Sequence, residues 1–294
     1  MPHGFDNKVV AITGAGKGLG RAHALCLAKL GARVIVNNRC HAGETDSSAD
    51  RVVDEIRQFG GEAVADYSSV EDPQAGQCLL SASLEAFGRL DAVIANAGVS
   101  EGCSFHKQEM ADFRQVFEIN LMGTANVLQD TFRHMYEQGH GAIVISSSVA
   151  GLYGEHGLPA YSASKAALLG LMYSLSKEGA PHCVRVNAVA PFASTQMTEK
   201  EMAPALSRKM QPDQVAPVVA WLISEQCSLN GETIITGGGR MSRARNMETS
   251  TIDLPLNEGY QPETIQAVWN ELESRSFEQA YSGALEQFGQ FISD

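Results

Sequence analysis

Two side chains four residues apart carry the most chemistry in this sequence. Tyr161 and Lys165 bracket the run Tyr161-Ser162-Ala163-Ser164-Lys165, and on a helix positions i and i+4 share a face one turn apart. An ammonium beside a phenol favours the phenolate and draws its pKa down from about 10 towards neutrality. Such a phenol can give a proton to a carbonyl oxygen or take one from an alcohol. The same spacing recurs in Tyr173-Ser174-Leu175-Ser176-Lys177, so spacing alone does not choose between them. Context does. Ser148 stands thirteen residues before Tyr161, in Ser146-Ser147-Ser148 closing a predicted strand, where open α/β sheets bind ligands. The residue thirteen before Tyr173 is Ala160. Tyr173 also lies about 120° around a helix from Tyr161, so both cannot face one site. Tyr173 and Lys177 are read as a structural or interface feature.

A second constellation sits near the start. Thr13-Gly14-Ala15-Gly16-Lys17-Gly18-Leu19-Gly20 follows a first apolar run and opens a helical one. Glycines let a backbone turn sharply and approach a pyrophosphate, and a helix N-terminus supplies free N–H groups. Gly14, Gly16, Lys17, Gly18, Leu19 and Gly20 are therefore read as cofactor-binding. At the end of the second predicted strand stands Asn37-Asn38-Arg39. A carboxylate there would accept from a ribose 2′-hydroxyl and repel a 2′-phosphate. The run has none, and Arg39 offers a fork suited to phosphate, with Lys17 in reach. Asn38 and Arg39 thus favour NADP(H) and leave NAD(H) open. The other reading makes Arg39 and Lys17 solvated surface charges.

These groups need a scaffold, and the pattern supplies one. Strands are predicted at Lys8–Ile12, Arg33–Asn37, Glu62–Ala65, Asp91–Ala95, Ala142–Ser146, Arg185–Val189 and Thr233–Ile235. Several are near-continuous apolar runs, as parallel strands covered on both faces require. Helical patterns lie between them, at Leu19–Leu30, Ala49–Phe59, Gln74–Phe87 and Phe113–Met135. The alternation predicts a doubly wound, Rossmann-type α/β fold: a seven-stranded parallel sheet with helices on both faces. Residues 1–240 form the dinucleotide-binding catalytic domain. Residues 241–294 are read as a C-terminal helical extension packed on it, with helical runs at Ile265–Leu272 and near Phe277–Phe288, too short to bury a core alone.

Composition narrows the partners. The chain of 294 residues is 44% hydrophobic and 19% charged, with a formal net charge of −12. That balance disfavours nucleic acid. No apolar run approaches the roughly 18 residues of a membrane span, and no signal peptide is visible at the start. Six scattered cysteines without a CxxC pair fit buried or incidental thiols in a reducing cytosol. The histidines show no metal-ligand spacing.

Over residues 7–240 the chain resembles the short-chain dehydrogenases/reductases. The matching pieces are Thr13–Gly20, Asn96-Ala97-Gly98, Asn120 in a long helix, Ser148, Tyr161, Lys165, and Pro191 after Asn187-Ala188-Val189-Ala190. The resemblance implies roles. Tyr161 is the general acid/base, and Lys165 holds the nicotinamide ribose and tunes Tyr161. Ser148 binds the substrate oxygen. Asn120 holds a water that links Lys165 to solvent. Asn96, Ala97 and Gly98 border the cofactor, and Pro191 to Thr195 faces the nicotinamide carboxamide. One branch is more similar than the rest, the (3R)-hydroxyacyl-CoA dehydrogenase part of peroxisomal multifunctional enzyme type 2. It shares Pro191–Thr198, Val215–Leu222 and a tail with Pro262-Glu263 and Trp269. The implied substrate is a small-molecule carbonyl or alcohol: a 3-hydroxyacyl/3-oxoacyl thioester or a hydroxysteroid-like apolar compound. Phe192, Met197 and Met202 near an expected lid favour an apolar one. The implied assembly is a homodimer or homotetramer. Departures are Asn38 where that branch carries Asp, Phe192 in place of a glycine, and Glu101, Gly102 and Cys103 in a loop where basic residues are expected. Arg240, Arg243 and Arg245 are read as a solvated basic turn. A non-catalytic nucleotide-binding sensor on the same fold is the alternative function; such a protein is expected to lose Tyr161 or Lys165, and this chain keeps both.

Overall fold

Each central strand is apolar on both faces, and the two faces feed two separate cores. In the computed structural model, which describes residues 4–40, 47–198, 203–254 and 261–292, β1 (Val9–Ile12) is fully buried. Its side chains alternate. Val10 and Ile12 pack with Val34 and Val36 of β2 (Arg33–Asn37), while Val9 and Ala11 join Ile35 on the opposite face. That is the two-residue period of a pleated strand with both sides covered. The first face is covered by α1 (Gly18–Lys29), α2 (Ser48–Gln58) and α9 (Ala216–Ile223), through Leu27, Ile56 and Val219. The second is covered by α3 (Ala75–Phe87), α5 (Gly123–Gln138) and α7 (Pro159–Gly179), through Leu79, Leu128 and Leu168. Each such side chain contributes about 2 kcal/mol.

The remaining strands are β3 (Ala63–Asp66), β4 (Ala92–Ala95), β5 (Gly141–Ser146), β6 (Val184–Pro191), β7 (Thr233–Gly237) and β8 (Arg240–Ala244). Their order is β3-β2-β1-β4-β5-β6-β7-β8. The pairings from β3 through β7 are parallel, and the order reverses between β1 and β4. Open α/β sheets bind ligands at that reversal, beyond the carboxyl ends of the strands.

The sheet therefore has eight strands, not the seven expected. The extra one, β8, follows a two-residue Gly238-Gly239 turn in which both φ are positive, the geometry of a tight hairpin. Its side chains, Arg240-Met241-Ser242-Arg243-Ala244, are largely exposed, so it lacks the apolar pattern that marks a buried strand. The long helix expected over Phe113–Met135 is interrupted. It runs as α4 (Met110–Phe117), a π turn over Glu118–Met122, and α5. Two short helices flank the site: α6 (Val149–Tyr153) and α8 (Pro204–Ser207).

Met1–Arg243 and Ala244–Asp294 are two compact units. Within the second, α10 (Pro262–Glu273) begins with proline in its first turn. Arg275 clamps the preceding chain, donating to the Thr251 carbonyl (2.7 Å) and to Ser250 Oγ (2.7 Å). An antiparallel bridge joins Glu248 to Gln279. The last helix, α11 (Ala284–Phe291), starts later than the Phe277 expected, because 277–283 is extended and turned by Ser282 and Gly283.

Candidate active site

The reversal of strand order is stitched by one hydroxyl and one amide. Thr13 Oγ1 accepts the backbone N–H groups of Asn96 and Ala97, both at 3.0 Å. Asn96 Nδ2 donates to the carbonyls of Thr13 (3.0 Å) and Gly14 (3.4 Å). The ends of β1 and β4 are thus held together, and the glycine loop is fixed against them. Gly14 has φ +63, a left-handed conformation that side chains resist. Gly20 serves close approach: a Cβ there would collide with the Gly14 carbonyl and stand 2.8 Å from Ala15 Cα.

Around this junction lies a cavity of about 310 Å³. Gly14, Lys17, Gly18, Leu19, Asn38, Asn96, Ala97, Gly98, Tyr161, Lys165, Pro191 and Thr195 all line it, so residues from four strand ends and from α7 meet there. Gly16, Gly20, Arg39, Asn120 and Ser148 are not among the lining residues. The two glycines shape the loop from behind; a Cβ on Gly16 would strike Ser48 Oγ of α2. Ala193, within the expected Pro191–Thr195 stretch, also lines the cavity, as do Ser146, Ser147, Gln196 and Thr198, which sequence reasoning gave no role. Thr198 Oγ1 donates to the Ala193 carbonyl (2.7 Å) and accepts from Thr195 N–H (3.0 Å), closing a turn that carries both walls. The serine run was the available signal, and only its last member drew a role. Met197, expected near a lid, lines the cavity; Met202 lies outside the described residues. Phe192 packs by the end of β7, where a Cβ on Gly237 would stand 2.7 Å from its Cβ.

α7 carries Tyr161 and Lys165, with Pro159 in its first turn preset for helix. Ser147 Oγ donates to the Lys165 carbonyl (2.8 Å), docking α7 on the end of β5. Lys165 is buried, 4% exposed. Its Nζ donates to the Ser146 carbonyl (2.7 Å) and lies 5.7 Å from the centre of the Tyr161 ring. Burial lowers the Lys165 ammonium to about 8, since low dielectric penalises the charged form. The Tyr161 side chain hydrogen-bonds Ser148. Ser148 does not close the strand as expected: β5 ends at Ser146, and Ser148 is the N-cap of α6, its Oγ accepting from Ala150 N–H (3.1 Å).

One electrostatic expectation is corrected. The ammonium was expected to pull the phenol down. Burial instead pushes the Tyr161 phenol above its ordinary value, and it is the Ser148 hydrogen bond that acts downward. Nζ donates to the Ser146 carbonyl instead, and burial is the larger of the two influences on the phenol.

Asn120 lies within the π turn and is fully buried. Its side chain accepts from Val99 N–H (2.8 Å) and donates to the Val99 carbonyl (3.0 Å) and Ser164 Oγ (3.0 Å). The extra residue of a π turn re-aims a side chain without breaking the helix. The point where a Cβ on Gly98 would stand is 3.1 Å from Asn120 Oδ1 and 3.4 Å from Lys165 Nζ. Both polar atoms therefore border one small space that glycine keeps open.

At the far rim, Arg39 is not a free fork. Its Nη1 pairs with Glu71 Oε2 at 2.9 Å, a carboxylate from the β3–α3 turn that the strand-end pattern could not reveal. Asn37 likewise donates to Asp66 Oδ2 (2.5 Å) at the end of β3. Arg243 of the expected basic turn pairs with the buried Glu232. Tyr173 packs against the core.

A doubly wound sheet with a glycine-walled cavity at its reversal point defines a dinucleotide-binding protein. Glycines close the wall against the backbone, amides and a cation border it, and a phenol and an ammonium stand at one end. That donor set and cradle fit a nicotinamide dinucleotide. A family model for short chain dehydrogenases matches residues 8–205, and this chain belongs to that family, the NAD(P)-dependent oxidoreductases acting on CH–OH groups. It is 40% identical over 247 residues to a short-chain type dehydrogenase/reductase of Mycobacterium tuberculosis, covering 83% of this chain and 86% of that one. It is 39% identical over 276 residues to peroxisomal multifunctional enzyme type 2 of Mus musculus, covering 92% of this chain but 37% of the mouse protein. A crystal structure of a short chain dehydrogenase from Mycobacterium avium superposes with a TM-score of 0.83 at 34% identity, over 94% of this chain and 97% of that one. The match extends beyond the first unit into the tail. Among the described residues, no helix is long and apolar enough to cross a membrane.

Proposed function

We propose that this chain interconverts a ketone and a secondary alcohol on an apolar substrate, a 3-oxoacyl/3-hydroxyacyl thioester or a hydroxysteroid-like compound, with NADP(H) preferred. The observation that carries the reading is the meeting of Tyr161, Ser148 and Lys165 beside the glycine-walled cavity. The bound nicotinamide ring supplies or accepts the hydride. Every other part falls to the chain. Gly14, Gly18 and Leu19 bring the backbone to the pyrophosphate, with Gly16 and Gly20 shaping the loop behind them, and Lys17, Asn38 and Arg39 take the adenosine end. Asn96, Ala97, Gly98, Pro191 and Thr195 wall the ring. Ser148 Oγ and the Tyr161 hydroxyl share the substrate oxygen. In reduction Tyr161 gives its proton to that oxygen, and a phenol held above its ordinary pKa stays protonated for the task. Lys165 holds the ribose and restores the proton, through Asn120 and the space over Gly98.

The name of a relative 34% identical over 241 residues, a 3-oxoacyl-[acyl-carrier-protein] reductase of Synechocystis, supports the thioester, and exposed Met197 on the cavity wall suits an acyl chain. The fold, the free cysteines and the family support a cytoplasmic homodimer or homotetramer. Tyr161→Phe keeps the ring and loses the proton. It is expected to lower kcat by about a thousandfold, within the range of acid/base catalysis, while NADPH and NADH bind as before. The measurement is steady-state reduction of a 3-oxoacyl thioester and of a steroid ketone, with cofactor fluorescence titration alongside. Activity within tenfold of the parent would end the assignment.

A further inference from the structure

The cation offered to a 2′-phosphate is already taken. Arg39 follows Asn38, whose side chain lines the cavity and donates to Ser48 Oγ (2.9 Å). The Arg39 Nη1 lies 2.9 Å from Glu71 Oε2. Glu71 is itself held in place. Its Oε1 accepts from Gln115 Nε2 of α4 (2.6 Å), and Oε2 also faces Ser69 Oγ (3.4 Å). Three donors on three elements thus fix one carboxylate, with the oxygen nearer Arg39 turned towards it. Glu71 is the less exposed partner, 31% against 47% for Arg39, so the arginine is the one free to swing.

We infer that Glu71 is a specificity-determining residue: it holds Arg39 as its counter-ion and so weakens the chain's discrimination in favour of a 2′-phosphorylated dinucleotide. This rests on the reading of Arg39 as the phosphate ligand. A 2′-phosphate gains a charge-assisted fork from Arg39, but only by displacing or sharing Glu71. A 2′-hydroxyl meets no such cost, because Glu71 leaves Arg39 neutralised beside it. Selection at this rim is therefore a competition between two anions for one guanidinium. Residues 37–39 alone cannot express that balance.

The test is a double-mutant cycle on the full chain, read as dissociation constants for NADPH and NADH at low ionic strength. Glu71→Gln keeps a hydrogen-bonding side chain for Gln115 and removes the charge. It is expected to tighten NADPH about fivefold, the scale of one half-exposed ion pair, while NADH moves less than about twofold. In an Arg39→Ala background the same change should give no NADPH gain. The gain should also shrink at high salt, where exposed charges are screened. Equal shifts for both cofactors, no shift, or a gain that survives loss of Arg39 would each overturn the role of Glu71. A different result marks failure of the underlying reading: Arg39→Ala leaving the NADPH-to-NADH ratio unchanged. Gln115→Leu is the second variant. It frees Glu71 Oε1 and should tighten NADPH in the same direction by a smaller factor. Melting curves confirm that all variants are folded.

Discussion

The two ends of the sheet treat buried charge in opposite ways. At the amino edge, Asp91 is 8% exposed and surrounded by donors. It accepts from Val9 N–H (2.8 Å) and from Arg89 Nε (2.8 Å), with Lys8 at 3.8 Å and His140 at 3.7 Å. At the carboxyl edge, Lys165 is as deeply buried. Among the described residues it faces a carbonyl oxygen and a phenol ring, with no carboxylate in ion-pair range. The first arrangement is satisfied and holds β1 to β4. The second leaves an ammonium and a phenol both displaced towards their neutral forms. Sites that must exchange protons are built in the second way.

The largest expected effect breaks the satisfied end. Asp91→Ala leaves Arg89 and the Val9 N–H without their shared acceptor. It should cost about 2–3 kcal/mol in urea unfolding, chiefly because the buried Val9 N–H is left without an acceptor, with kcat per folded molecule unchanged. A loss of turnover without a loss of stability would erase the contrast between the two edges.

Next comes a buried group with no role at either edge. His23 in α1 is buried with no hydrogen-bond partner on either ring nitrogen, and burial lowers it to about 4 from 6.5. Because its folded pKa lies below the unfolded one, the unfolded state binds more protons between pH 6.5 and 4. Stability therefore falls as the pH drops through that window. At pH 5 the loss is about 2 kcal/mol, and His23→Leu should remove it. Denaturant midpoints for both proteins at pH 7 and pH 5 measure the difference.

The smallest effect has the opposite sign. Lys165 titrates near 8 when folded against 10.5 when unfolded. Its penalty on folding is in full force below pH 8 and fades as the pH rises from there to 10.5. Lys165→Met should therefore raise stability at pH 7 by about 1–2 kcal/mol, the relieved desolvation less the hydrogen bond to Ser146. Turnover is expected to collapse in the same variant. A destabilised Lys165→Met protein would show that this ammonium is compensated in some other way.

Much of this was legible before any coordinates. The central strands declared themselves because β-branched apolar runs have few other uses. The glycine loop did so because only a sharp turn into a helix needs that pattern. Where the pattern failed, packing was not what fixed the element. β8 is an exposed edge strand held by a hairpin turn. The π turn at Asn120 adds one residue to a helix without altering its composition. The Tyr161 and Lys165 pair could be found from spacing and context, but not the sign of the phenol's shift. That sign depends on how much water the fold removes from the phenol.

Residue order alone specifies the class of fold, the glycine-rich turn after β1, and the placing of Tyr161 and Lys165 on one helix face. These are matters of local pattern and of neighbours close along the chain. It takes the folded chain to bring Glu71 to Arg39, to tie β4 to the glycine loop through Thr13, and to bury the Tyr161 phenol deeply enough to raise its pKa. Each joins residues tens of positions apart or depends on solvent exclusion, and neither distance through space nor dielectric is written in the order of residues.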